Sequence, residues 1–323
     1  MSDTTNTSGS GRRPVSGDQH RLRVGEYEAV VASVGATLRV LRDDDGDLVV
    51  PFSADEMRPS MRGAVLAPWP NRTANGRYVF EGQDHQLPVN ESDFGNAAHG
   101  LVAWLDFRTI AASATHVVLE SAIEAQPGYP WRVRVEVVFS LTPDGLVQRI
   151  TATNESVTPA PFGAGGHPYI VAGPAHANAV DDWFLEVRAH RVVTVSPERL
   201  LPVGIVQVDD HEDAFDFRTR RPISGRRLNH AFGALEQESD GYAHVRVTDD
   251  RGVGVDVACD SHCRWVQLYT SDTADPLDHR HSIAVEPMTC PPDALNSKQD
   301  LIVLQPGASA AMEWRIARIR PRR

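Results

Sequence analysis

Apolar and polar residues alternate along Trp131–Leu141 (WRVRVEVVFSL), which puts Val133, Val135, Val137 and Phe139 on one side of a two-residue period. That period marks a strand with one face buried. Similar runs recur at Phe184–Val195, His244–Val247, Val253–Ala258, Trp265–Thr270, Ser282–Val285, Leu301–Leu304 and Met312–Ile319. Asp45-Gly46, Asn75-Gly76, Asp144-Gly145 and Asp240-Gly241 punctuate them, and such dipeptides favour tight turns. No long amphipathic helical pattern accompanies these runs. The expectation is an all-β chain, folded as a sandwich or barrel. No fixed-period repeat or linker divides it. The polar Gly/Ser-rich start predicts a disordered tail over residues 1–21, followed by a single domain over residues 22–323.

Composition narrows the partners. The 323 residues suffice for one large β domain, and 41% hydrophobic with 23% charged residues is ordinary globular usage. A net charge of −11 disfavours nucleic acid and anionic membrane as partners. The basic C-terminal stretch RIARIRPRR reads as a terminal strand with a solvated tail. No apolar run reaches membrane-spanning length, and the N-terminus lacks the apolar centre of a signal peptide. Three cysteines cannot form a disulfide framework. The cytoplasm is therefore the expected location.

The segment SIAVEPMTCPPDALN, Ser282–Asn296, puts Glu286 at the end of an apolar run. Pro287 lacks the N–H that a sheet ladder needs, so the strand is expected to stop there. A carboxylate on such a rigid strand end is placed to act as a base; an ordinary edge glutamate is the plain alternative. FGAGGHPYI at Phe162–Ile170 carries His167 behind glycines that permit unusual backbone angles and close ligand approach. Its imidazole titrates near neutrality. Asn71 and Arg72 in PWPNR, and Gln267 interrupting the apolar strand WVQLYT, offer hydrogen-bond donors and acceptors for a polar ligand. His99, in NAAHG, reads equally well as a buried histidine bonded to backbone.

Taken in order, Asn71-Arg72, Asn75-Gly76, Asn90, His99-Gly100, His167-Pro168-Tyr169, Gln267-Leu268-Tyr269 and Glu286-Pro287-Met288 resemble the aldose 1-epimerase (galactose mutarotase) family. The resemblance covers roughly Leu22 to the C-terminus. It implies the large antiparallel β-supersandwich of galactose mutarotases, with an open sugar cleft on a curved sheet. It further implies interconversion of the α and β anomers of a free aldohexose such as glucose or galactose. Glu286 would be the base and His167 the acid, with Asn71, Arg72, His99, Asn229 and Gln267 binding the sugar. At Asn229, in LNHAFGAL, the family usually carries an acidic residue, so the charge is lost there and His230 is a rival for the position.

No metal or other cofactor is expected, because the reaction is reversible proton transfer. Cys259 and Cys263, with His262, His279 and His281, lack the paired spacing of structural zinc sites. Gly163–Gly166 lacks the Lys-Ser/Thr of a phosphate loop. Two alternatives remain open at this level: a mutarotase of hexose 6-phosphates, which would need extra cations such as Arg58, Arg62 or Arg77 in the cleft, and a non-catalytic sugar-binding or sensor protein on the same fold.

Overall fold

The computed structural model describes residues 12–210 and 214–320. The alternation read at Trp131–Leu141 becomes the strand Val133–Thr142, in which every second residue is buried. It turns through Pro143-Asp144 and pairs along its whole length with Gly145–Asn154. Around this hairpin grows a nine-stranded antiparallel sheet that runs from Arg108–Ala112 at one edge to Arg221–Pro222 at the other. An eight-stranded sheet forms the second layer. Its centre is Asn229–Leu235, Trp265–Tyr269 and Ile283–Met288, flanked by the short strands Gly165–Gly166, Tyr169–Ile170 and Val65–Leu66. Four N-terminal strands form a smaller sheet. One buried cluster unites Val135 and Ile150 of the first sheet with Val266, Leu268 and Val285 of the second. The all-β antiparallel architecture agrees with the expectation. Among the described residues no helix is long and apolar enough to cross a membrane.

Four details depart from the sequence reading. The run Phe184–Val195 is two strands in different sheets: Phe184–Val187 pairs with Ala243–Thr248, whereas Ala189–Val195 pairs with Asn229–Leu235. The chain crosses between layers at Arg188, and an apolar run gives no sign of that crossing. The strand carrying Glu286 does not stop at Pro287 but continues to Met288. Val285 and Thr289 donate their N–H groups to Pro168 and Ala164, so the missing N–H of Pro287 falls on that same flank. There the ladder is already interrupted between Gly165–Gly166 and Tyr169–Ile170, and a proline costs no bond.

The boundary after residue 21 falls inside the strand Gln19–Val24. Upstream of it, Arg13 Nη2 reaches Asp106 Oδ2 at 2.8 Å and Ser33 Oγ at 3.1 Å. Polar composition suggested a tail, but these residues are fixed by hydrogen bonds rather than by apolar burial. The rest of the expected tail, residues 1–11, lies outside the described residues. Finally, the glycines before His167 have ordinary negative-φ backbones. A Cβ on Gly166 would come within 2.4 Å of Trp314, and one on Gly163 within 2.5 Å of Cys290 Sγ. Gly166 serves close packing between the layers, and Gly163 close packing against the segment after the Glu286 strand.

Candidate active site

Strand periodicity builds the site. Val266, Leu268 and Val285 point into the core, so Gln267 and Glu286 point to the opposite face. Cross-strand register sets Ala231, Gln267 and Glu286 side by side. His167 stands where the flanking strand is broken, and its backbone is held on both sides: its N–H donates to Ala64 O at 3.1 Å and its carbonyl accepts from Gly63 N–H at 2.8 Å. Asn71 and His99 both adopt left-handed backbone, at φ 55° and 64°. His99 N–H donates to Asn71 O at 2.9 Å, which ties the two turns together. Asn90 clamps the same region by bonding both the N–H and the carbonyl of Ala98.

All seven residues singled out in the sequence line one cleft of ≈ 730 Å³. His167 Nε2 lies 3.3 Å from Glu286 Oε1, with both side chains buried. The ring of His167 is stacked on Tyr169, with centroids 5.1 Å apart, and meets His99 edge-on. Arg72 grips Glu91 with Nε and Nη2, each at 2.8 Å, which orients its guanidinium across the cleft. Gln267 Nε2 donates to Asn229 Oδ1 at 2.7 Å. His167 Nδ1, His99 Nδ1, Gln267 Oε1 and Glu286 Oε2 are buried without a hydrogen-bond partner. Unpaired buried polar atoms are costly, and four of them around one cleft mark a place built for a polar ligand.

Burial dominates the electrostatics. It pushes the Glu286 carboxyl up to about 8, against the pull of Arg72. It lowers His167 to about 3, with Arg58 and Arg72 adding to the effect, and holds His99 well below the ordinary histidine range. The 3.3 Å contact therefore joins two neutral groups near pH 7, with one proton between them on the carboxyl side. Its geometry alone would suggest an ion pair, but full burial of both partners disfavours charge separation.

Asn229 lines the cleft as expected. His230 lines it too, but packs edge-on against Phe215 and accepts the Asn229 N–H at its Nδ1. Several cleft residues had no sequence signal, among them Glu91, Phe94, Arg227 and Asp272. Arg58, Arg62 and Arg77 do not line it. Arg58 is buried over Trp104, Arg62 bonds Asp278, and Arg77 bonds Gln86. Among the described residues, His99, His167 and Glu286 are the cluster able to hold a metal, with ligand atoms within 4.8 Å of one another. Two imidazoles and a carboxylate are a donor set that zinc accepts. Tetrahedral ligands at about 2.0–2.1 Å would have to draw closer together than this. They would also use the atoms of the His167–Glu286 contact.

The aldose 1-epimerase family model matches residues 18–317. The chain belongs to the aldose 1-epimerase family. Relatives include the uncharacterized Escherichia coli protein YihR, 34% identical over 293 residues and covering 90% of each chain. Rat galactose mutarotase is 25% identical over 227 residues, 65% of this chain and 63% of its own length. Among solved structures, the GalM/aldose epimerase homologue of C. elegans superposes with a TM-score of 0.80 at 20% identity, covering 94% of this chain and 99% of that one. Galactose 1-epimerase of Lactobacillus acidophilus superposes at 0.75 with 18% identity, covering 96% and 97%. Likeness at such low identity shows the shared aldose-epimerase fold. The chemistry rests on the cleft.

Proposed function

We propose that this aldose 1-epimerase family member is a cofactor-free mutarotase, interconverting the α and β anomers of a free aldohexose. The observation that carries this is the Glu286–His167 contact of 3.3 Å, facing a cleft edged by unpaired polar atoms. The pair shares one proton. With that proton on His167, Glu286 is a carboxylate that takes the proton of the C1 hydroxyl, and His167 gives its proton to the ring oxygen. The C1–O bond to the ring breaks, the aldehyde forms, and the C1–C2 bond rotates. Closure on the other face reverses both transfers and returns the pair to its starting state. A base poised near neutrality suits this task, and each positioned acid or base contributes about 10²–10⁴ in rate. Arg72, Asn71, His99, Gln267 and Asn229 would hold the sugar hydroxyls. A protein that only bound sugar would need no such acid–base pair.

The charges favour an unphosphorylated sugar. Among the described residues, the cleft cations Arg72 and Arg227 face the carboxylates Glu91 and Asp272, at 2.8 and 3.7 Å, which leaves no surplus positive charge for a phosphate. Polarimetry on freshly dissolved α-D-glucose and α-D-galactose tests the proposal. Optical rotation should relax to equilibrium faster in proportion to enzyme concentration. Relaxation at the buffer rate for every aldose, at micromolar enzyme, would refute it.

A further inference from the structure

We infer that Asp272 is a sugar-hydroxyl acceptor of this cleft, an inference that rests on the aldose reading above. Asn229, Gln267 and Asp272 all line the cleft. Asn229 Oδ1 already accepts from Gln267 Nε2, which leaves the Asn229 amide to act chiefly as a donor. Gln267 Oε1 is an unpaired but neutral acceptor. An aldose brings several hydroxyl protons, and these two side chains meet few of them.

Asp272 supplies a charged acceptor held at a fixed angle. Its Oδ1 accepts from Arg280 Nη1 at 2.8 Å and its Oδ2 from Thr270 Oγ1 at 2.5 Å. Each carboxylate oxygen has two lone-pair sites; Oδ1 also faces Arg227 Nε at 3.7 Å, whereas Oδ2 has Thr270 as its one hydrogen-bond donor among the described residues and retains room for a hydroxyl. Thr270 Oγ1 also accepts the Leu228 N–H at 3.0 Å, which locks the carboxylate to the chain just before Asn229. Arg280 is buried and is itself held by Asp181, through Nε at 2.9 Å and Nη2 at 2.7 Å. Glu91 differs, because the Arg72 fork spans both of its oxygens. A carboxylate that merely braced its loop would have no need to open on the cleft, and Asp272 does open there.

Asp272→Asn keeps the shape and can keep the Thr270 and Arg280 bonds while removing the charge. Hydrogen bonds to charged groups are the stronger ones, so KM for the preferred aldose should rise about tenfold with kcat changed less than about threefold. In a series of monodeoxy aldoses, removal of one particular hydroxyl should weaken the wild type and leave the variant almost unaffected. The double variant Asn229→Asp with Asp272→Asn returns a carboxylate to the neighbouring strand and should recover part of the lost affinity, which no loop-bracing role explains. Asp272→Glu serves as a second probe if the asparagine variant does not fold. It retains the pair with Arg280, shifts the oxygens, and should reorder the deoxy series. Unchanged KM and an unchanged deoxy ranking in Asp272→Asn, or an unchanged ranking in Asp272→Glu, overturns the inference. A wild-type protein that accelerates no aldose fails the functional proposal instead, before any variant is compared.

Discussion

Burial of Glu286, the proposed base, has a cost. The carboxyl is raised from an ordinary 4.5 to about 8 by burial. Between those values the folded protein keeps a proton that the unfolded chain has released, so stability falls as pH rises through this window. Glutamine cannot ionise and escapes that loss. Glu286→Gln should therefore gain stability over wild type progressively from about pH 4.5 to about pH 8, by on the order of a few kcal/mol, and the gain should level off above that. Urea unfolding at pH 5 and pH 8.5 measures this; an equal difference at both would mean that Glu286 is not buried as a neutral acid. His167 contributes the opposite limb. Its folded pKa, lowered to about 3, lies below the unfolded value, so its contribution is lost as pH falls below about 6.5. The residues named from sequence were legible because their polarity interrupts apolar strands or sits in short motifs. Glu91 and Asp272 were not, since an acidic residue in a polar loop resembles any solvated one until the fold brings it to the cleft.

At the scale of elements, the apolar runs revealed five of the nine strands of the larger sheet and three of the eight of the other, where several of the missed strands are only two residues long. They could not reveal which sheet a strand joins, as the division of Phe184–Val195 shows. Nor did a proline rule read correctly next to a ladder already interrupted at His167. The glycines of Gly163–Gly166 suggested ligand approach, yet the structure assigns them to packing against Trp314 and Cys290. Gly166→Ala should therefore destabilise the protein by about 1–3 kcal/mol, the usual cost of overpacking a tight core. Gly225→Ala is the control, since a Cβ there meets no atom within 4 Å, and it should stay within about 0.5 kcal/mol of wild type. Equal melting temperatures for the two variants would show that the layers yield at Gly166.

At the scale of the whole molecule, two large sheets bury their facing sides, and the outer face of one becomes the floor of the cleft. The rigid floor holds Glu286 and Gln267, while loops and broken strands bring Asn71, Arg72, His99 and His167 over it. A metal would compete for the His167–Glu286 atoms. EDTA should leave the rate unchanged, and micromolar zinc should slow it through capture of His99, His167 and Glu286; loss of activity in EDTA, restored by zinc, would contradict the cofactor-free mechanism. The most direct test follows exchange between α and β anomeric protons of glucose or galactose at equilibrium by NMR, in wild type and in Glu286→Gln. General-base catalysis by Glu286 predicts enzyme-dependent exchange in the wild type and a drop of at least about tenfold in the variant, the loss expected on removing a general base. A correctly folded Glu286→Gln protein that exchanges anomers at the wild-type rate would contradict it.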